Sequence, residues 1–404
     1  MNEIKKPRVL VTYVEAGLGH IVTAEAISDS LKAKYGEKLE IIDSHILRDS
    51  KNKILNDFEQ WMVKEVSRHS KIKGYCAFEM ACMHIIGSKN TLKFLHNTKF
   101  GKASRALLEE YRQINPDVIV CTHYFTLHIA IKYRNKYSPN TLIVTYCPDN
   151  IVHGWWDNRG DRFYTNNPVA TKDTKRNHFK KDTVKEVFFP TRNSVTNVVH
   201  DKSVCRDRLG IPNDRFTLVF ANGLYATKKT KQVFNELAKI DLPFNLCILA
   251  GKNEKLKSYF DNLKSSMKPN INLITFGYLE NAPELYATAD LFLTKGGPNA
   301  ILDSVLVGTP ILVDFNASPI EKSSAKLFTK ILNCGIFEKN PKKIKELIES
   351  FIVDPSLLNP YIESVNRFNN CPNGADDIAD DMVELMRSRN MLNEDALEKE
   401  LALV

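Results

Sequence analysis

Residues 291–313 read LFLTKGGPNAILDSVLVGTPILV. An apolar run of strand length ends at Thr294, a turn follows through Gly296, Gly297 and Pro298, a helix begins near Asn299, and TPILV starts a second apolar run. Short apolar runs on either side of a helix imply parallel strands buried on both faces, since a crossover is needed to join parallel neighbours. Pro298 suits the first helical turn, where its missing N–H is not needed. Free backbone donors at that helix start, with the dipole behind them, form a position for a diphosphate. Asp303 falls about one turn further on, where a carboxylate can grip ribose hydroxyls. The same loop also has a bland reading, in which the glycines only let strand and helix pack and Asp303 is a solvated acid; the surrounding sequence weighs against it.

Working outward, strand-like runs alternate with helix-length segments throughout: RVLVTYV, LEIIDS, PDVIVCTH, NTLIVTYC, FTLVFANG, FNLCILAG and INLITFG. The fold class is α/β. The series starts twice, because RVLVTYVEAGLGH (8–20) and FTLVFANGLYATKKT (216–230) both read strand, glycine turn, helix. Two Rossmann-like domains facing a central cleft are expected, over 1–195 and 196–380, with a helical tail over 381–404. Their junction falls in the polar, turn-rich stretch around Pro190 to Pro212. The stretch GADDIADDMVELMRSRN (374–390) either closes the second domain or crosses back to the first.

The 404 residues are 43% hydrophobic and 26% charged, with no apolar run near the roughly 18 residues of a membrane span. The N-terminal apolar stretch runs into the glycine turn and reads as a first strand, not a leader. Eight scattered cysteines without a CxxC read as buried thiols of a reducing cytoplasm. The net charge of +8 is concentrated: Lys51 to Arg105 holds eleven Lys or Arg against four Asp or Glu, while Ala375 to Val404 holds nine acids against three bases. Trp61, Met62, Tyr75, Phe78, Met80, Met83, Phe94 and Phe100 interleave with that basic excess. Basic and aromatic residues together suit an anionic membrane surface, or else an amphipathic helix pair that covers the sheet with a solvated lysine face. No recognised nucleic-acid motif is present, so nucleic acid is not expected as a partner.

The anchors GLGHIVTAEAI, PDVIVCTHYF, PDNIVHGWW, FPTRNS, LAGKNEKLK, FGYLENAPELYATADLFLTKGGPNAILDSVLVGTPILV and PIEKSSAKLF, in this order, carry a resemblance. Over roughly Arg8 to Phe328 the chain resembles the diacylglycerol glycosyltransferases of the monogalactosyldiacylglycerol synthase type. These are relatives of the bacterial processive diacylglycerol glucosyltransferases and, more distantly, of the peptidoglycan N-acetylglucosaminyltransferase. The resemblance implies the GT-B fold, a nucleotide-sugar donor in the C-terminal domain, an acceptor site in the N-terminal domain, and inversion at the anomeric carbon without a metal or other cofactor.

On the donor side, the resemblance places Asp303 where the family has a ribose-binding glutamate. Gly296, Gly297, Pro298 and Asn299, with Lys295 before them, line the diphosphate turn, and Arg192 of FPTR matches an arginine near the phosphates. Gly277 and Tyr278 would border the uracil, Glu321 would reach the donor sugar, and Asn222 and Gly223 belong to the first donor loop. Two positions depart from the pattern: Ile320 stands where glutamine is usual, and the 221–230 loop has one glycine instead of several.

On the acceptor side, Asp149, His153 and Trp156 of PDNIVHGWW match an Asp–His–Trp pattern. His123 sits at a strand end where cleft residues gather, while His128 is expected to pack. Gly17 and Gly19 shape the turn that ends in His20. Glycosyl transfer to a hydroxyl requires removal of the acceptor proton, and a neutral imidazole suits that near pH 7. A dinucleotide turn would have a third glycine at this position. His20 is therefore the candidate base, with Asp149 as rival or orienting acid; the alternative is that His20 only caps its helix or fixes the loop. Glu15 and Glu25 are expected to be solvated or helix-surface acids. Lys89, Lys93, Lys99 and Lys102 are the candidate membrane-facing lysines.

The expected function is transfer of galactose or glucose from a UDP-sugar to a membrane lipid hydroxyl, with 1,2-diacylglycerol the first choice of acceptor, on the cytoplasmic face of the membrane. The alternatives are a sterol, polyprenyl or soluble acceptor; a non-catalytic sugar-nucleotide-binding protein, suggested by Ile320 and the glycine-poor loop; and a dehydrogenase, for which Asp43 is present but the third glycine is missing.

Overall fold

The computed structural model describes residues 6–15, 18–71, 95, 97–199, 201–221, 228–316 and 319–392. The chain forms two compact units, one of residues 1–192 with 372–404, the other of residues 193–371.

The first unit is built on a six-stranded sheet of β1 (Arg8–Thr12), β2 (Glu40–Ser44), β3 (Val118–Cys121), β4 (Leu142–Tyr146), β5 (Arg162–Thr165) and β6 (Val184–Glu186), in the order β2-β1-β3-β4-β5-β6. Every pairing is parallel; Val9 stands opposite Ile41 on one side and Val118 on the other. Alternate residues serve opposite faces. Leu10, Ile119 and Ile143 join Leu55, Phe100, Leu107 and Phe125 in one core, while Val9, Val11, Val118, Val120 and Val144 join Ala24, Ile27 and Leu31 in another. This is why β3 and β4 read as unbroken apolar runs.

The second face is completed by the end of the chain. Helix Gly374–Ser388 buries Ala375, Ile378, Ala379, Met382, Val383 and Met386 in the same core as helix Leu18–Tyr35. Three of its acids are partnered: Ser30 donates to Asp376 at 2.5 Å, Lys34 and Tyr35 bind Asp380, and Asp381 takes Tyr164 at 2.6 Å, Arg162 at 2.8 Å and Lys185 at 2.9 Å. A Cβ on Gly374 would lie 1.8 Å from the Phe188 carbonyl oxygen, so only glycine fits where the chain re-enters. The expected limits of 196–380 and 381–404 are corrected accordingly: the second unit ends at Cys371, and helix Gly374–Ser388 packs on the first unit.

The second unit repeats the plan with β7 (Phe216–Ala221), β8 (Phe244–Leu249), β9 (Ile271–Phe276), β10 (Leu291–Thr294), β11 (Ile311–Val313) and β12 (Gly335–Phe337), ordered β12-β11-β10-β7-β8-β9 and parallel throughout. In both sheets the chain starts on an inner strand and later reverses direction across the sheet, beside β1 and β3 in one and beside β7 and β10 in the other. Loops at the carboxyl ends of the strands part at such a switch, which is where α/β proteins bind ligands. Cys121, Cys147, Cys205, Cys247 and Cys334 are buried free thiols, whereas Cys371 is exposed. Burial pushes the Cys121, Cys247 and Cys334 thiols up to about 12. No helix among the described residues is long and apolar enough to cross a membrane.

Candidate active site

His20 stands in the first turn of helix Leu18–Tyr35, just beyond β1, and is 9% exposed. Its Nδ1 lies 2.6 Å from the carbonyl oxygen of Thr122, the residue after β3. A carbonyl only accepts, so Nδ1 carries the hydrogen and the Nε2 of the neutral ring keeps its lone pair. Thr122 Oγ1 in turn donates to the His20 carbonyl at 3.0 Å, so the loops after β1 and β3 are bonded twice.

Two other histidines adopt the opposite tautomer. His123 caps helix Tyr124–Lys136, its Nδ1 accepting from the Phe125 N–H at 3.2 Å, and His153 Nδ1 accepts from the Trp155 N–H at 3.3 Å. An accepting Nδ1 puts the hydrogen of a neutral ring on Nε2, which makes both residues donors at that atom. The His20 and His123 rings meet edge to face at 4.8 Å. Tyr124 lies 4.1 Å from His123, 5.5 Å from His153 and 5.3 Å from Trp155, between ring centres. The segments after β1, β3 and β4 thus converge through one chain of rings.

Trp156 is 1% exposed and packs edge-on against Phe163, so it supports this loop from the core, while the half-buried Trp155 stands nearer the surface. Asp149 is half-buried, and its loop is braced by Asn166, which donates to Pro148 O at 3.3 Å, and by Asn167, which donates to Asn150 O at 3.5 Å. His128 packs, as expected: it faces Asp157 at 3.6 Å, and Arg159 clamps the same carboxylate. Burial opposes ionisation of Asp157, but the bonds from Arg159 and His128 hold its carboxyl well below the usual range.

Gly19 is half-buried and its carbonyl accepts from Thr23 at 2.7 Å, while Gly17 lies outside the described residues. Glu15 is exposed, as expected. Glu25 is half-buried on helix Leu18–Tyr35, and burial with the neighbouring Asp43 raises its acid above the usual value while Arg192 opposes the rise. Arg192 is the last residue of the first unit before the crossover.

In the second unit the turn after β10 is tightly packed. A Cβ on Gly296 would lie 2.2 Å from Asn316 Oδ1 and 2.6 Å from the Glu321 carbonyl oxygen, so this position admits only glycine. Gly297 precedes helix Pro298–Leu306 without a side-chain cap, and Pro298 occupies its first turn. The N–H groups of that turn have no acceptor within the helix. Asn299 is half-buried, and Asp303 is 8% exposed, which removes its reading as a solvated acid. Lys295 Nζ holds Glu321 Oε1 at 2.7 Å, with Ile320 half-buried beside it. At the end of β9, Gly277 is half-buried and Tyr278 is 61% exposed, with Lys252 Nζ 4.7 Å from the ring centre. Asn222 and Gly223 lie outside the described residues.

The basic segment is only partly described. Met62 and Phe100 are core residues, and Trp61 is half-buried with Lys99 Nζ 4.6 Å above its ring. Lys99 and Lys102 are exposed; Lys89, Lys93, Tyr75, Phe78, Met80, Met83 and Phe94 lie outside the described residues. Among the described residues no group of three or more His, Cys, Asp or Glu side chains converges as a metal site requires.

Known proteins match both units. The family model for monogalactosyldiacylglycerol (MGDG) synthase matches residues 20–190, and that for the glycosyltransferase family 28 C-terminal domain matches residues 225–351. Monogalactosyldiacylglycerol synthase 1, chloroplastic, of Arabidopsis thaliana is 22% identical over 412 residues, which covers 96% of this chain and 73% of that protein. The processive diacylglycerol beta-glucosyltransferase of Bacillus pumilus is 24% identical over 390 residues, 95% of this chain and 96% of that one. Among solved structures, Acinetobacter baumannii MurG superposes with a TM-score of 0.60 at 11% identity, covering 93% of this chain and 98% of that chain. Anabaena Alr3699/HepE in complex with UDP gives 0.54 at 11% identity, covering 95% and 100%. The two parallel sheets with their crossovers are the GT-B fold.

Proposed function

We propose that this chain, a glycosyltransferase of the GT-B fold that resembles the monogalactosyldiacylglycerol synthases and bacterial diacylglycerol glucosyltransferases, moves a hexose from a UDP-sugar to the hydroxyl of diacylglycerol with inversion. The observation that carries the reading is the bond from His20 to the Thr122 carbonyl, which leaves Nε2 as a proton acceptor. The acceptor oxygen attacks the anomeric carbon from the face opposite the leaving UDP while His20 Nε2 takes its proton. Asp149 is the rival base, or orients the acceptor. His153 and His123 stand beside it on the acceptor side.

Departing UDP is met by the uncapped start of helix Pro298–Leu306 and by Arg192, donors aimed at the charge that develops there. The buried Asp303 takes the ribose hydroxyls, the exposed ring of Tyr278 borders the base, and Glu321, held by Lys295, reaches the sugar. UDP as the nucleotide is supported by the UDP bound in HepE, and diacylglycerol by the names of the curated relatives. The exposed Lys99 and Lys102 support attachment to the surface of an anionic membrane; the cytoplasmic face is part of the same proposal.

The test is UDP release from UDP-glucose, UDP-galactose and their N-acetyl forms, with and without diacylglycerol vesicles. Lipid-dependent release from one of the unmodified hexoses is expected. Release that needs a soluble acceptor instead, or UDP binding without turnover, would defeat the reading.

A further inference from the structure

We infer that Glu59 is a positioning residue for the transfer step, holding the His20 loop from behind; this rests on the reading of His20 as the proton acceptor. Glu59 belongs to helix Lys53–Lys71, is 5% exposed, and falls in none of the motifs that carry the resemblance. Its Oε1 accepts from the backbone N–H of Glu15 at 3.1 Å, the residue that opens the glycine turn ending at His20. The same oxygen makes a short contact with Nε2 of His45, which is 1% exposed. A carboxylate oxygen only accepts here, so His45 presents its Nε2 hydrogen to it. His45 stands just after β2, its backbone N–H bonded to Asp49 Oδ2 at 2.8 Å and its ring 5.2 Å from that of Tyr13. One buried oxygen therefore joins the turn after β1 to the segment after β2.

The neighbouring residue does the same for β3. Phe58 packs at 4.8 Å on Phe125, next but one to His123, and at 5.3 Å on Phe100. Helix Lys53–Lys71 thus sets, through adjacent side chains, the two segments that the His20–Thr122 bonds bring together. A buried carboxylate is costly unless donors meet it, and an apolar side chain would fill this space at less cost. What Glu59 adds to packing is the alignment of two donors, one of them on the backbone of the catalytic loop.

The test compares Glu59→Ala, Glu59→Asp and Glu59→Gln in the full chain. Glutamine keeps an acceptor oxygen at the same reach; aspartate keeps the charge but withdraws it. Small misplacements of a reacting group cost up to about a hundredfold. Accordingly, Glu59→Ala and Glu59→Asp should lower kcat by roughly ten- to a hundredfold, with UDP affinity within about twofold of the parent, and Glu59→Gln should regain most of the rate. A second readout needs no activity: in nitrogen-15 imidazole spectra followed through a pH titration, the His20 signals should move in Glu59→Asp and return in Glu59→Gln. Unmoved His20 signals, with kcat per folded molecule unchanged in Glu59→Asp, would overturn the inference. A parent protein without transfer would defeat the proposed activity alone, and the imidazole spectra would still decide the role of Glu59.

Discussion

The Nδ1 of His20 lies 2.6 Å from the carbonyl oxygen of Thr122, and this bond separates His20 from its neighbours. His123 and His153 each accept at Nδ1, so three rings close together carry two different tautomers. A neutral His20 is a base at Nε2, whereas neutral His123 and His153 are donors there.

His20→Ala should therefore lower turnover by about a hundredfold or more while UDP affinity stays nearly intact, because loss of a general base leaves ground-state donor binding in place. Steady-state rates with calorimetric UDP titration check this. Parallel collapse of rate and affinity would make His20 a scaffold residue and Asp149 the preferred base.

Asp303→Ala should weaken UDP binding by roughly ten- to a hundredfold, corresponding to about 1.5–3 kcal/mol for a charged acceptor lost from buried hydroxyls. The buried position of Asp303 behind the glycine turn motivates the expectation. Unchanged affinity in calorimetry would take Asp303 out of the donor site.

The turn that decides the fold was legible because its chemistry is local: Thr294, Gly296, Pro298 and the apolar runs beside them specify strand, turn and helix without help from elsewhere. His20 was legible as a residue out of place in a glycine turn. Its tautomer was not, because the Thr122 carbonyl that sets it lies on another strand. Glu59 and His45 were hidden for the same reason: Glu59 shares its helix with Asp57 and Glu65, and nothing in the sequence marks it as the buried one. Trp156 was legible as part of a motif, but its burial against Phe163 depends on β5. The return of helix Gly374–Ser388 to the first sheet was open from the sequence, since its apolar face suits either unit and only its pairing with Ser30, Lys34, Tyr164 and Arg162 decides the matter.

That helix predicts an acid dependence. Burial opposes ionisation of Asp381, but Tyr164, Lys185 and Arg162 hold its carboxyl below the usual range. A depressed folded value contributes stability that is full above the unfolded value of about 3.9 and is lost as pH falls through the folded value. Asp381→Asn should cost about 1.5–3 kcal/mol at neutral pH, since it replaces a charged acceptor by a neutral one. Its loss of Tm on acidification below about pH 4 should be shallower than the parent's. Parallel Tm curves would show that Asp381 carries no such linkage.

Replacing Lys89, Lys93, Lys99 and Lys102 together by glutamine should reduce co-sedimentation with phosphatidylglycerol vesicles, each basic residue near an anionic surface being worth about 1 kcal/mol. Activity on detergent-dispersed lipid should survive. Salt should release the parent protein as the screening length contracts from about 8 Å towards 3 Å. Equal sedimentation with neutral and anionic vesicles would contradict electrostatic attachment.

The most direct test is to incubate the protein with an α-linked UDP-hexose and diacylglycerol vesicles, isolate the lipid, and determine its mass and anomeric configuration by proton magnetic resonance. The account predicts a monohexosyl diacylglycerol with a β linkage, shown by a large coupling between H1 and H2 of the sugar, formed by the parent and almost absent with His20→Ala. An α-linked product, or UDP release with no hexose on the lipid, would contradict it.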